Sequence, residues 1–171
     1  MALNMKKITP KDVFLTNLSY EEHVCKGTIG KTPVELKYNQ LTGNKMIDEL
    51  AELMAVYRAR TASFYEKSMG IKAGGLNHFM MLYTGMNFQE WRNEYFLLMA
   101  KELLLETDYT TKKVGKRLGY SGDTTFRQWF IKVDGDSPAK WRRYARYRRA
   151  KEEEALVLKF RREEVEKQFA K

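Results

Sequence analysis

The residues best suited to chemistry are cations set among aromatic and amide side chains. Lys140, Arg142, Arg143, Arg146, Arg148 and Arg149 fall within ten positions that hold no acid, interleaved with Trp141, Tyr144 and Tyr147. Such a run suits a phosphate backbone or an anionic lipid surface; the plainer alternative is a solvated helix end. Upstream, Thr124, Arg127 and Gln128 are three and four residues apart, the spacing of one helix face. There an arginine can read guanine, and a glutamine adenine, through paired hydrogen bonds to base edges in the major groove. Asp123 can accept from cytosine or cap the helix, and capping is the favoured role. Asn77 and His78 form a second set, an amide for adenine and an imidazole for guanine or phosphate. Lys72, Gly74, Lys112, Lys113, Lys116, Lys140, Arg142, Arg143 and Arg146 are candidates for phosphate contact, which positions a protein without choosing a sequence.

No catalytic or metal-binding constellation accompanies these residues. Gly30-Lys31-Thr32 resembles the end of a phosphate-binding loop, but Cys25 stands where the first glycine belongs and Pro33 follows. His23 and Cys25 lack two further ligands at metal spacing. Gly119 to Gly122 joins two helices and has no acid and histidine partners, so it is not a nucleophile elbow. Neither an enzymatic activity nor a cofactor is expected.

The elements that must position the readers follow from periodicity. Val34 to Tyr38 alternates apolar and polar residues, and Val24 to Ile29 can pair with it through a turn at residues 30–33, so the N-terminal 43 residues predict a β-hairpin of unknown role. From Lys45 the period becomes helical, with Ile47, Leu50, Leu53, Met54 and Tyr57 on one face. Ser63 to Glu66 has the form of a capping box opening a short helix that Gly70 ends. A second helix is expected from about Ala73 to Tyr83, with Leu76, Phe79 and Met80 inward and Gly85 as its stop. Phe88, Trp91, Tyr95, Leu98, Met99 and Leu103 mark a long helix to about Glu106. Then the pattern repeats. Thr110 is an N-cap, Val114 and Leu118 are buried, Gly119 breaks the helix, and Asp123 to Val133 buries Phe126, Trp129 and Phe130. Ser137-Pro138 starts a last helix.

A short helix, a glycine turn and a second helix thus occur twice. A helix-turn-helix needs an apolar and then a small residue in its first helix, a glycine four residues later and an apolar residue after that. Val114, Gly115, Gly119 and Tyr120 satisfy this. The first unit has Tyr65, Gly70 and Ile71, but Glu66 fills the small position, which predicts a wider crossing or an outward-bent glutamate.

On these residues the chain resembles the AraC/XylS family of transcription regulators. The second unit carries the likeness through Ala100 to Leu104, Asp108, Thr110, Val114-Gly115, Gly119 to Ser121, Phe126, Phe130, Gly135, Ser137-Pro138 and Trp141-Arg142. The first carries it through Gly70, Leu76, Gly85-Met86, Phe88 and Trp91. The resemblance covers about residues 45–143. It implies a mainly α fold of two helix-turn-helix subdomains on a linker helix, and a sequence-specific regulator of bacterial transcription that binds double-stranded DNA, with RNA polymerase as a further partner. The family usually has arginine where Gln128 stands, so base preference at that position departs from the family's pattern.

The expected organisation is an N-terminal segment over 1–43, a first subdomain over 44–86, a linker helix over 87–106, a second subdomain over 107–143 and a charged C-terminal helix over 144–171. Forty-three residues are too few for the ligand-binding domain common in the family, so no small-molecule effector is expected. Leu158, Val165 and Phe169 share one side of the last helix, which leaves a homodimer open against a solvated single helix. A competing reading is a protein-interaction or architectural module on a degenerate scaffold, with at most non-specific DNA binding.

Composition sets the outer bounds. The chain has 171 residues, 43% hydrophobic, enough for one domain or two small ones with a modest core. Its longest apolar stretch, Tyr95 to Ala100, falls far short of the roughly 20 residues a bilayer requires. No apolar run follows the lysines before Pro10, so no signal peptide is expected. One cysteine suits a reducing cytoplasm. The net charge of +9 comes mostly from residues 139–171, which hold 12 basic and 6 acidic groups.

Overall fold

The computed structural model describes residues 7–13 and 42–169, with side chains as far as Glu164. The hairpin expected over residues 24–38, with His23 and Cys25, lies outside the described residues. The described residues form helices alone: α1 Pro10–Val13, α2 Lys45–Tyr57, α3 Ala62–Ser68, α4 Gly75–Thr84, α5 Phe88–Glu106, α6 Thr111–Arg117, α7 Asp123–Asp134 and α8 Pro138–Phe169. Among them no helix is long and apolar enough to cross a membrane.

Local chemistry sets most helix starts. The Asn44 side chain accepts from the backbone N–H groups of Met46 and Ile47, opening α2. Asn87 and Glu90 form a reciprocal capping box at the start of α5. Thr110 accepts from the Lys113 backbone, as its sequence position predicts. The expected capping box at Ser63 does not form. Thr61 caps α3 instead, accepting from Phe64 N, because the helix begins one residue before Ser63. Helix α4 likewise starts at Gly75, since Gly74 is left-handed at φ +80° and ends the preceding turn.

Helix α5 is the spine. Phe88, Trp91, Tyr95, Phe96, Met99, Ala100, Leu103 and Leu104 are all buried, and they face in several directions around the helix. Its first half joins Ile47, Leu50 and Met54 of α2, Tyr65 of α3 and Leu76 and Met80 of α4 in the core. The helix also packs against α6, α7 and α8. From α2, Tyr57 departs from the expected inward face and is 47% exposed, being the last residue of the helix.

The two helix-turn-helix units close their turns alike. Gly70 and Gly119 are left-handed, at φ +67° and +89°, a region open to glycine at little cost. The next N–H reaches back to the residue at the small position, Ile71 N to Glu66 O at 2.8 Å and Tyr120 N to Gly115 O at 3.0 Å. In the second unit the small position is tight: a Cβ on Gly115 would sit 2.7 Å from Phe126 Cβ. In the first, Glu66 does not bend outward. It is buried, and its Oε1 accepts from Leu76 N at 3.3 Å, supplying an acceptor to the first turn of α4.

A short segment after α2 holds the units together. Ala59 N donates to Leu118 O at 3.0 Å, while a Cβ on Gly119 would lie 3.2 Å from Ala59 N. The segment is tied from the other side by the Tyr65 hydroxyl, which donates to Arg58 O, and by Arg92 Nε, which donates to Arg60 O at 3.1 Å.

Gly115→Val is expected to destabilise the fold by about 1–3 kcal/mol through overpacking against Phe126. Urea unfolding checks this: the midpoint falls while the slope is retained.

Candidate nucleic-acid interface

Helix α7 has a buried and an open side. Phe126 and Phe130 are fully buried, and Trp129 is partly buried between Tyr120, Phe126 and Phe130. Trp129 Nε1 donates to Asn93 Oδ1 of α5 at 3.1 Å, and Gln89 Nε2 holds that oxygen at 2.9 Å. At the far end, Lys101 of α5 pairs with Asp134. These contacts fix the roll of α7 about its own axis. Thr124, Arg127 and Gln128 are consequently brought together on the exposed side. The Arg127 side chain is 53% exposed and its nearest acid, Asp123, is 3.9 Å away.

Asp123 is not the cap expected of it. Gly122 occupies the cap position without a side-chain hydrogen bond, and Asp123 follows in the first turn. Its Oδ1 accepts from the Thr111 hydroxyl at 3.2 Å, linking α7 to α6. Tyr120, in the turn between them, has a buried hydroxyl whose pKa desolvation pushes up, an effect partly offset by Arg92.

The corresponding side of α4 is differently built. His78 is exposed. Asn77 is also exposed, but its Oδ1 accepts from Phe88 N at 3.0 Å, binding α4 to the start of α5. Lys72 is exposed in the turn before α4. Gly74 suits its left-handed backbone there, and a Cβ on Gly75 would lie 2.7 Å from Ile71 Cγ2, so that side chain would have to shift.

The cations separate into two groups. Lys112, Lys113 and Lys116 are exposed on α6, with Lys113 Nζ 3.7 Å from the centre of the Tyr109 ring. Lys113 and Lys116 line an open cleft of about 560 Å³ together with Arg58 and Arg117, two residues the sequence reading missed. Arg117 was visible as a cation beside Lys116. Arg58 arrives only through the tertiary contact at Ala59.

On α8 the arginines mostly turn inward. Arg142 Nε donates to Leu104 O at 2.8 Å and Nη2 to Tyr109 O. Arg146 donates to Thr107 O and Asp108 at 2.9 Å, and Arg149 pairs with Glu106 at 2.8 Å. Spaced four and three residues apart, these side chains grip the C-terminal end of α5, where free carbonyls and the helix dipole favour cations. Burial is the main influence lowering the Arg142 pKa, with Arg146 adding to it and Asp108 opposing. The expectation that Arg142 and Arg146 contact phosphate therefore meets guanidinium groups already engaged within the protein. Lys140 pairs with Asp136 at 2.5 Å. Arg143 points away from α5, exposed, its guanidinium 5.5 Å from the Tyr144 ring centre.

Arg142→Ala is expected to lower stability by about 2 kcal/mol, because charged hydrogen bonds to two carbonyls are lost. Arg143→Ala is expected to stay within about 0.5 kcal/mol of the parent. Thermal unfolding of both variants in one buffer distinguishes them.

Comparison with known proteins agrees with this architecture. Residues 65–144 match the family model of a helix-turn-helix domain. The chain is 25% identical over 113 residues to the HTH-type transcriptional regulator YtdP of Bacillus subtilis, across 66% of this chain. It spans less than a quarter of the length of the curated relatives it matches, 13% and 21%. The DNA-binding domain of AdpA, solved in complex with a target DNA, superposes with a TM-score of 0.55 at 22% identity, covering 61% of this chain and 96% of that domain. An AraC-type regulator from Chromobacterium violaceum superposes with a TM-score of 0.50 at 19% identity, covering 57% of this chain and 89% of that one.

Proposed function

We propose a specific role for this chain, whose residues 65–144 belong to the AraC-type helix-turn-helix family of DNA-binding transcription regulators: it binds double-stranded DNA in a sequence-dependent way, reading the major groove mainly through α7. The observation that carries this is the open face of Thr124, Arg127 and Gln128 on a helix whose opposite face is locked. A base-reading helix must present its donors without first reorganising, and bidentate recognition rewards that order. The AdpA domain binds its target DNA with a fold of this kind.

The first unit serves in this proposal chiefly to hold the DNA backbone. Asn77 already spends its carbonyl on Phe88, which removes half of the bidentate pair an adenine needs. His78 and Lys72 are exposed beside it and suit phosphate. Lys112, Lys113 and Lys116 supply phosphate contacts from α6, and Arg143 supplies one from α8. Arg142 and Arg146 act as internal clamps. RNA polymerase is a further partner that regulators of this family meet, and the cytoplasm, at the nucleoid, is the site of action this role requires.

The competing interaction-module reading drew on Glu66 as a sign of degeneracy. Its hydrogen bond to Leu76 N makes Glu66 a working part of the first unit, which favours the DNA-binding role.

Arg127→Ala is expected to cost about 1–3 kcal/mol on the best site and to relax preference at one base pair. Lys112→Gln with Lys116→Gln should weaken all duplexes alike and reduce the salt slope by about one per lysine. Selection from random duplexes followed by titration tests the whole proposal; equal affinity of the parent chain for every sequence overturns it.

A further inference from the structure

The cleft where the two units meet draws cations from both. Arg58 reaches it from the end of α2, and Lys113, Lys116 and Arg117 from α6; among the described residues no acid lines it. One backbone contact brings these residues together. Ala59 N donates to Leu118 O at 3.0 Å, which sets the preceding residue of each segment, Arg58 and Arg117, at the same opening. A concave surface carrying one sign of charge focuses its field and gathers the opposite ion. At about 560 Å³ the cleft is large enough for a small polyanion.

Arg58 holds an unusual backbone to stand there. At φ +66° and ψ −149° it alone of the described non-glycine residues has a positive φ. The conformation lies close to a region confined almost wholly to glycine, and it persists only where surrounding contacts over-determine it. They do so here. Arg58 N donates to Met54 O at 3.0 Å, while Arg58 O accepts from Arg60 N at 2.8 Å and from the Tyr65 hydroxyl. Glycine would take this shape without strain. An arginine occupies the position instead, and its side chain lines the cleft. Backbone strain of this kind collects at binding sites, where the side chain it carries is needed.

The cations around the cleft are positioned by the protein. Arg58 Nη1 donates to Met99 Sδ at 3.2 Å, a weak acceptor. Lys113 Nζ and the Arg117 guanidinium lie 3.7 and 5.6 Å from the centre of one ring, that of Tyr109. Both arginines have partners within the protein, and the five N–H donors of a guanidinium leave each able to bind an anion as well. A single phosphodiester brings one negative charge to four cations. Adjacent phosphates match the cleft better, since their oxygens pair with guanidinium forks. We infer that this cleft binds a group of adjacent phosphates, held by Arg58 and Arg117 together with Lys113 and Lys116. Such a group comes from a free polyphosphate or from neighbouring phosphates of a duplex backbone, and only the second source rests on the proposed DNA-binding role.

Isothermal titration calorimetry of the full chain with inorganic tripolyphosphate, and with sulfate as a single-centred dianion, tests this. The parent chain is expected to bind tripolyphosphate more tightly than sulfate. R58Q/R117Q is expected to weaken tripolyphosphate about tenfold while circular dichroism reports unchanged helix. Should that variant lose helix, Lys113→Gln at its exposed position carries the test, with weaker tripolyphosphate binding expected. Arg58→Gly should lose affinity without a fall in thermal midpoint, because glycine adopts this backbone freely. A midpoint that falls while affinity is retained assigns Arg58 to the fold and overturns the inference. Titration of R58Q/R117Q with duplex names the source: weaker binding identifies backbone phosphates, and unchanged binding a free polyphosphate. Tripolyphosphate bound no more tightly than sulfate, or equally by parent and variants, overturns the site altogether. Loss of sequence preference by α7 would leave these readings in place, so the two proposals fail separately.

Discussion

Helix α5 is buried on more than one side, and everything else depends on that. A typical surface helix shows one apolar stripe to one core. Here α5 buries Phe88, Trp91, Tyr95, Ala100, Leu103 and Leu104 in one core shared with helices of both units. The consequence is geometric. Because α4 and α7 both pack on one helix, their relation is set by the rotation and rise between their contacts on α5. The Ala59 to Leu118 hydrogen bond then adds a second, direct tie between the units. An open face on α7 consequently has a fixed position relative to α4.

The basic stretch of α8 illustrates how one set of residues serves two ends. A helix that leaves α5 at an angle needs something to fix it, and the end of α5 offers unpaired carbonyls carrying partial negative charge. Arg142, Arg146 and Arg149 meet Leu104 O, Thr107 O, Asp108, Tyr109 O and Glu106 from one face of α8. Arg143 and Lys140 lie on another. The positive charge that residues 140–149 leave unengaged is therefore smaller than their composition suggests.

What was legible in the sequence was local. The repeat, the glycine turns, the Thr110 cap and the extent of α5 depend on residues a few positions apart, and the helix bounds differ by a residue or two. The inward turn of Arg142 joins positions 38 residues apart. The Asn77 contact with Phe88 spans 11. Nothing in composition or spacing distinguishes a guanidinium that caps a neighbouring helix from one that awaits a phosphate. The role of Glu66 is hidden for a related reason. A charged residue at a small position reads as a steric fault unless the acceptor it supplies to the next helix is known.

The two units are unequal because of how each second helix is held. Trp129 of α7 reaches α5 through a side chain on the helix's partly buried side, so its anchoring leaves Arg127 and Gln128 untouched. Asn77 of α4 reaches α5 with a group that would itself have to read a base. In the proposed role, anchoring and reading thus compete in the first unit and are separated in the second. Two glycines at the start of α4, Gly74 with a left-handed backbone and Gly75 close to Ile71, further reduce the side chains that unit can offer. In that proposed role, specificity concentrates where the positioning contacts and the reading face fall on different sides of the same helix, and in this chain that helix is α7.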